Sequence, residues 1–402
     1  MRSSHTLEEL VFWYIYDRQH CLRSELTDHF SVSAATVSRA VTLLLDKELV
    51  VEAGTHATAP GRRPHVLEVN PKLATLAGLE IDVDRVTAVV TDMAGTLLGR
   101  GAVRCDAHQG LEKVLEASQE AVRQALADAG VPLGEVRHLG AGHPGNLDLE
   151  HGLCLFWPNV AGWRSVPLRD KLRERFGMEV TLDDRSRAVA LAERRASGEN
   201  GRHPNAIYVQ VGTGIGMGVF VDGRLFRGAT QAGGEIGNVV IDTDGPLCNC
   251  GNRGCVEAFA TIGAVLRYVR DSLAAGASSQ MPSTASNELT IESVAAAASR
   301  GDPLALSAFE RAGTALGLGV SNVVQILNPS LVVLCGRLAR IAGDHLVRGV
   351  SKAVRERCVE MASRRVDIRV APPRKDISAV GCALLAAEAE AQRIVRHRLF
   401  GE

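Results

Sequence analysis

Cys248-Asn249-Cys250-Gly251-Asn252-Arg253-Gly254-Cys255 is the stretch on which the reading of this chain turns. Three cysteines stand in a Cys-x-Cys-x4-Cys array with two glycines between them. Thiolates are soft ligands that suit Zn²⁺, and the glycines let a short loop wrap three sulfurs around one ion. Cys248, Cys250 and Cys255 are therefore the candidate metal ligands, with a structural zinc as the expected cofactor. The competing reading is three unpaired buried cysteines in a turn. Just upstream runs Gly233-Gly234-Glu235-Ile236-Gly237-Asn238, and Glu257 follows two residues after Cys255. A metal loop flanked by two carboxylates points to a shaped small-molecule site braced by the ion.

The chain has 402 residues, long enough for two or three domains with sizeable cores. Hydrophobic residues make up 46% and charged residues 23%, which fits a folded globular protein rather than a disordered one. No apolar run approaches the roughly 18–20 residues of a membrane helix, and the N-terminus has no secretory apolar core. Nine cysteines in so long a chain do not read as a secreted disulfide framework, so a reducing cytoplasm is expected and no membrane partner. The net charge of −1 identifies no partner.

The first seventy residues differ from the rest. Residues 7–20 form an apolar helix with a polar end, and 22–30 a short second helix. Ser33 is a good N-cap for a third helix over about 34–48, with Val37, Ala40, Val41, Leu44 and Leu45 on one stripe. That stripe leaves Ala35, Thr36, Ser38, Arg39 and Thr42 on other faces. Small and hydroxylated residues at a helix start, followed by Arg, suit entry into a major groove. Residues 49–54 and 65–69 read as the two strands of a wing. Between them Pro60-Gly61-Arg62-Arg63-Pro64 is held extended and projects two arginines, either toward a narrow minor groove or as a solvated hinge. The candidate DNA-contacting residues are thus Ser33, Ala35, Thr36, Ser38, Arg39, Arg62 and Arg63. Residues 1–70 carry seven Lys and Arg against nine Asp and Glu, so one copy binds phosphate weakly. DNA binding is expected to need a homodimer or homotetramer that puts two such helices on one duplex.

From about residue 75 the pattern is strand–strand–strand–helix. Strands are expected at 78–83, 85–92 and 96–103, then a helix at 111–129. Strands follow near 137–141 and 178–182, and helices near 166–176 and 186–198. The pattern then repeats, with strands at 206–211, 216–221 and 237–241, helices filling 255–325, strands at 331–335 and 366–370, and a closing helix over about 377–397. Residues 274–287, rich in Ala, Ser and Gly, are expected to be a mobile loop. Two successive units of this kind imply two similar lobes with a ligand cleft between them.

At this point the chain resembles ROK-family transcriptional regulators, a group that includes both repressors and sugar kinases. The resemblance spans essentially the whole chain. It rests on the helix-turn-helix with its Gly-Arg-Arg-Pro wing and on Gly142-His143-Pro144-Gly145 followed by Asp148. Trp157-Pro158-Asn159-Val160-Ala161-Gly162-Trp163, Asp183-Asp184, Gly212-Thr213-Gly214-Ile215-Gly216, Gly233 to Gly237 and the cysteine array add to it. It implies an α/β protein: an N-terminal winged helix-turn-helix over 1–70, then a two-lobed actin-like, ribonuclease-H-like fold of the sugar-kinase ATPase type. The first lobe is expected over 71–185, completed by a C-terminal helix at 376–402, and the second over 186–375 with the cysteine loop.

The resemblance also implies roles. Asn159, Asp184, Glu235 and Glu257 match sugar-binding positions, and carboxylates and an amide on rigid elements suit rows of sugar hydroxyls. Asn238 stands where the family has a histidine that ligates zinc and touches the sugar. An amide is a poor zinc ligand, so a fourth donor must be water, Asp242, Asp244 or another residue. Kinase members carry an Asp-x-Gly-Gly-Thr loop for ATP phosphates, but here the stretch reads Asp82-Val83-Asp84-Arg85-Val86. Both glycines are gone and a carboxylate stands where phosphate would lie. Cys335-Gly336-Arg337 replaces a glycine pair on the adenosine side. These departures favour a sugar-sensing repressor that acts on operator DNA and is not an enzyme. The alternatives are a sugar kinase with an accessory DNA domain, or a regulator that has lost sugar sensing and answers to a protein partner.

Overall fold

The computed structural model describes residues 6–55, 65–158, 160–199, 201–281 and 289–401. It opens with helices α1 (Leu7–Arg18), α2 (Arg23–Phe30) and α3 (Ala34–Asp46), followed by an antiparallel pair, β1 (Val50–Thr55) and β2 (His65–Val69). Thr6 and Ser33 cap α1 and α3, each accepting a backbone N–H three residues on. Val37, Ala40, Val41 and Leu44 are buried, so the apolar stripe of α3 faces inward as its spacing requires.

Next come β3 (Thr75–Ile81), β4 (Arg85–Asp92), β5 (Leu97–Arg104), α4 (Leu111–Ala129) and β6 (Val136–His143). Three short strands follow, β7 (Asn146–Asp148), β8 (Leu153–Phe156) and β9 (Arg164–Val166), and form a small sheet of their own. Then come α5 (Leu168–Phe176), β10 (Glu179–Asp184) and α6 (Arg185–Ala196). The first large sheet has the order β10-β6-β3-β4-β5. β3, β4 and β5 form an antiparallel meander, and β6 and β10 add in parallel.

The same arrangement recurs with β11 (Ala206–Val211), β12 (Ile215–Val221), β13 (Arg224–Phe226), α7 (Val256–Ala260), α8 (Ile262–Ala274), α9 (Ile291–Ser299) and α10 (Pro303–Leu327). It continues through β14 (Leu331–Cys335), α11 (Gly336–Arg357), α12 (Glu360–Ser363), β15 (Asp367–Val370) and α13 (Ile377–Phe400). The second sheet, β13-β12-β11-β14-β15, repeats the meander plus two parallel strands. The expected doubling is therefore present in the hydrogen-bonding pattern itself. Among the described residues no helix is long and apolar enough to cross a membrane.

One expectation needs correction, and one helix was missed. Residues 237–241 are not a strand: Ile236–Asn238 is one 3₁₀ turn, and only Val240 bridges, to Cys255. Gly234 takes φ +108°, which turns the chain away from a ladder. The helices expected over 255–325 are four, α7 to α10, and 282–287 of the expected loop lie outside the described residues. The helix over Gly336–Arg357 was not expected, although Leu338, Ala339, Ala342, Leu346, Val350, Ala353 and Val354 lie on one buried stripe at helical spacing.

Two helices tie the units together. α13 lies on the first sheet against β3, β4, β6 and β10, while α4 covers β4 and β5. α6 runs between the sheets, against α13 on one side and β11 and β12 on the other. α13 also enters the N-terminal core: Ala386, Ala387, Ala391, Ile394 and Val395 pack with Val11, Phe12, Ile15 and Tyr16 of α1. The approach of α13 to the sheet is backbone to backbone. A methyl group at Gly140 would overlap the Cys382 carbonyl and one at Gly78 the Ala379 carbonyl, and α13 meets α6 as closely, since a methyl at Gly381 would overlap the Ala188 carbonyl.

Gly140→Ala should therefore lift α13 and destabilise the protein at the upper end of the about 1–3 kcal/mol that overpacking a core costs. Gly134→Ala, with nothing within 4 Å of the added carbon, is the control. Urea unfolding of both variants checks this: equal midpoints would contradict the packing described.

Candidate functional site

Asp184 is the last residue of β10 and the N-cap of α6. Its Oδ1 accepts the N–H groups of Ser186 (2.7 Å) and Arg187 (3.3 Å). An acid is favoured there because the first turn of a helix leaves its amides unpaired. β12 faces this turn: a methyl group at Gly216 would collide with Ser186 and come within 3.9 Å of Asp184 Oδ1. The glycine is thus what lets the second sheet close on the carboxylate.

Glu235 heads the 3₁₀ turn after the glycine pair, and Asn238 Nδ2 donates to its Oε2 at 3.4 Å. Glu257, half-buried in α7, accepts the Ile215 N–H at 2.9 Å and lies beside Gly214 and Gly237. The loop that carries the cysteines thus also sets Glu257 against the Gly212–Gly216 turn. All three carboxyls are held above the usual range. Desolvation is the main cause for Asp184, with Asp183 adding to it against Arg187. It is also the main cause for Glu257, against the Ile215 hydrogen bond. Solvent still reaches Glu235, yet the protein around it costs it hydration, and the charges of Asp184 and Glu257 act on it as well. The structure therefore brings Asp184, Glu235, Asn238 and Glu257 into one electrostatic neighbourhood. Asn159 lies outside the described residues.

Its neighbours are described and are buried. His143 is fully buried, with its ring 4.4 Å from that of Trp157 and 5.3 Å from that of Trp163. Trp163 Nε1 donates to the Ala107 carbonyl (3.3 Å), and His143 Nδ1 accepts the Gly145 N–H (2.9 Å). Burial, with the charge of Arg185, pushes the His143 pKa down to about 3, so it is neutral. A three-ring wall anchors both ends of the Trp157–Trp163 segment.

Sequence reasoning missed the ionic frame beneath the carboxylates. Asp183, 2% exposed, accepts from Arg187 Nε (2.6 Å) and from Arg227 Nε (3.2 Å). Arg187 Nη1 also donates to the Gly233 carbonyl at 3.0 Å. The one available signal was Asp183 and Arg187 at i,i+4 spacing. On the far side of the same helix start, Arg185 pairs with Asp82. Residues 82–85 close a tight turn, Asp82 N to Arg85 O at 2.9 Å.

The three cysteines converge. Their sulfurs lie within 4.8 Å of one another, and Cys250 and Cys255 are 3.6 Å apart. A tetrahedral site with Zn–S bonds of about 2.3 Å requires about 3.8 Å between sulfurs, so this spacing fits a metal. Burial and then the neighbouring thiols push Cys255 up to about 12. Cys250 is held low, despite its own burial, by the Asn252 amide and the other two sulfurs. Asp242 and Asp244 do not join the cluster: Asp242 Oδ1 accepts the Asp244 N–H instead (3.1 Å). Asn238 turns to Glu235 rather than to the sulfurs.

On α3, Ala35, Ser38, Arg39 and Thr42 are exposed and Thr36 partly so. Ser33 Oγ caps Thr36, and Ser38 Oγ accepts from Arg23 at 3.4 Å. Arg39 makes no ion pair among the described residues. Arg62 and Arg63 lie outside the described residues.

The sequence pattern of the ROK family matches residues 76–389. The chain is 28% identical over 374 residues to a xylose repressor from Caldicellulosiruptor bescii, covering 93% of each chain. It is 31% identical over 314 residues to a glucokinase from Thermotoga maritima, covering 76% of this chain and 98% of that enzyme. Its fold is similar to that of a crystal structure described as a ROK family transcriptional regulator, a homologue of the E. coli MLC protein. The TM-score is 0.77 at 22% identity, covering 98% of this chain and 100% of the other.

The two roles of Asp184 separate in stability measurements. Asp184→Ala removes the cap and should cost about 1 kcal/mol relative to Asp184→Asn, which keeps one. The native state raises the Asp184 pKa, so stability from this group is full below about pH 4 and falls as pH rises through the raised value. Asp184→Asn should therefore be at least as stable as the parent at pH 7, with a flatter pH dependence. Urea titrations at the two pH values check both statements.

Proposed function

The chain belongs to the ROK family, and from that premise we propose that it is a DNA-binding transcriptional repressor answering to a sugar. The observation that carries this reading is similarity to a xylose repressor across 93% of both chains, whereas nearly the whole glucokinase is matched by about three quarters of this one. We read residues 1–70 as a winged helix-turn-helix. Residues 71–185 with 376–402 form the first lobe, and 186–375 the second. Asn159, Asp184, Glu235, Asn238 and Glu257 hold a monosaccharide or simple derivative, with carboxylates accepting from neighbouring hydroxyls. Ser33, Ala35, Thr36, Ser38, Arg39, Arg62 and Arg63 face operator DNA. Exposed Val240 on a recess of about 440 Å³, together with exposed Ile326 (79%), Met361 (71%) and Val359, supports an oligomeric form. Two copies would also offset the weak phosphate affinity of one.

Two observations favour a sensor over a kinase. The turn at 82–85 is closed on itself, and its Asp82 is paired with Arg185, so no free glycine-lined backbone faces a phosphate. Arg337, on the adenosine side, is paired with Glu292 at 2.7 Å. The kinase alternative rests on Asp184, which keeps the position of a catalytic base. The partner-responsive alternative rests on Asn238.

The decisive measurement combines binding and turnover. D-xylose and D-glucose are titrated into the protein bound to an operator duplex, and ATP consumption is followed in parallel. Sugar should change duplex affinity while ATP consumption stays at background. Glu257→Gln or Asp184→Asn should lower sugar affinity about five- to hundredfold, the effect of about 1–3 kcal/mol from unpaired hydroxyl partners. Duplex affinity without sugar should stay unchanged. Sugar phosphorylation that Asp184→Asn abolishes would establish the kinase reading instead.

The cysteine loop is read as a structural zinc site held by Cys248, Cys250 and Cys255, which braces Glu257. Freshly purified protein should carry about one zinc per chain, and chelation should lower its melting temperature, since the site exists only in the folded chain. Well under half an equivalent by elemental analysis would reject it.

A further inference from the structure

We infer that Arg227 is the positioning residue that couples the carboxylate cleft to the DNA-facing helix α3, through Glu388 and helix α13. The inference rests on the sugar-responsive reading and names how that site is read out.

Arg227 stands at the root of the loop that carries Glu235, and its carbonyl accepts the Gly233 N–H at 2.8 Å. Its guanidinium bridges two elements. Nε donates to Asp183 Oδ2 at 3.2 Å, and Nη2 lies 3.7 Å from Glu388 Oε2 on α13. Asp183 is not a remote partner, because its Oδ1 accepts the backbone N–H of Asp184 at 2.7 Å. Arg187 closes the frame by holding Asp183 and the Gly233 carbonyl together. A ligand that pulls on Asp184 or Glu235 therefore acts on groups one bond or one hydrogen bond from Arg227.

The far end is α13. Its Leu385, Glu388, Ala389 and Gln392 line a cavity of about 330 Å³ that also contains Asp183 and Arg227. The opposite face, Ala386, Ala387, Ala391, Ile394 and Val395, lies in the N-terminal core. Near its end, Arg398 donates to the carbonyl of Lys47, the C-cap of α3 (2.6 Å), and approaches Glu48 (3.9 Å). One rigid helix thus has an ionic contact with the cleft loop on one side and a hydrogen bond to α3 at its end. The cavity leaves room for the Arg227–Glu388 contact to lengthen or shorten, and both side chains are partly solvated. A loose ion pair between two rigid bodies can take two arrangements at little cost, which a coupling device requires.

The test uses the full-length protein and two variants that should fold. Arg227→Ala leaves buried Asp183 paired with Arg187. Glu388→Gln removes the charge at the partly solvated end of the bridge, a charge that also acts on Tyr16 and Asp17 of α1. D-xylose and D-glucose affinity, duplex affinity without sugar, and the ratio of duplex affinities with and without saturating sugar are measured for each. Both variants should keep the first two within about threefold and lose about tenfold or more of the sugar-dependent ratio, the scale of an ordinary coupling free energy. Hydrogen exchange without ligand gives an independent readout. Glu388→Gln should speed exchange both in residues 228–238 and in α3, which Glu388 does not contact. An unchanged sugar-dependent ratio in both variants overturns the proposal. So does unchanged exchange in α3, even if neither sugar binds. Absence of any sugar response in the parent, with the exchange changes present, defeats the sugar reading and supports the coupling path.

Discussion

Helix α13 touches the first sheet through bare backbone, and the rest of the molecule depends on that contact. At Gly78 and Gly140 there is no room for a single carbon, because carbonyls of α13 occupy it. Such an approach multiplies weak dispersion contacts and fixes the helix to within a fraction of an ångström. A helix held so closely on the sheet positions everything it touches. α6 packs along it, the N-terminal core closes on its other face, and Glu388 is set where Arg227 reaches it. The C-terminal segment is thus the common wall of three cores.

The three carboxylates follow a different logic. Asp184, Glu235 and Glu257 are held with raised pKa values, which means that the fold bears a cost to keep ionised acids close together. Packing alone would not favour this arrangement, and hydroxyl-rich ligands that donate to carboxylates would relieve it. Asp183 shows the contrast. One residue away, it is more deeply buried, yet two arginines satisfy it, so it serves as a frame rather than a contact surface. Adjacent acids on one strand end point to opposite faces, and that alternation divides their roles.

Much of this was legible in the residues. The capped third helix, the helix at Leu111–Ala129 and the strands at Ala206–Val211 and Leu331–Cys335 follow from apolar spacing and end signals. The convergence of the three sulfurs was legible for the same local reason, since eight residues with two glycines leave few other shapes. Short strands at Asn146–Asp148, Leu153–Phe156 and Arg164–Val166 were not, because three or four residues carry no measurable alternation. The helix at Gly336–Arg357 was open to the same reasoning, since Leu338, Ala342, Leu346, Val350 and Val354 form a buried stripe at helical spacing, while Gly343 and Gly349 meet Val370 and Gly313 where a side chain would not fit.

The sequence by itself determined which faces are apolar, where elements begin and end, and which acids and thiols sit close along the chain. Period and capping are local, and local interactions set them. Only the tertiary structure decided which charges meet. Arg227 finds Asp183 and Glu388, Arg185 finds Asp82, and Arg398 finds Glu48 and the Lys47 carbonyl, across separations of tens to hundreds of residues. It also decided that Asp242 and Asp244 stay away from the cysteines and that Asn238 turns to Glu235. A charged side chain carries no record of its partner in its own sequence neighbourhood. Its pairing is settled by the packing of the backbones that bring it there, and here those backbones are the glycine-tight surfaces around α13.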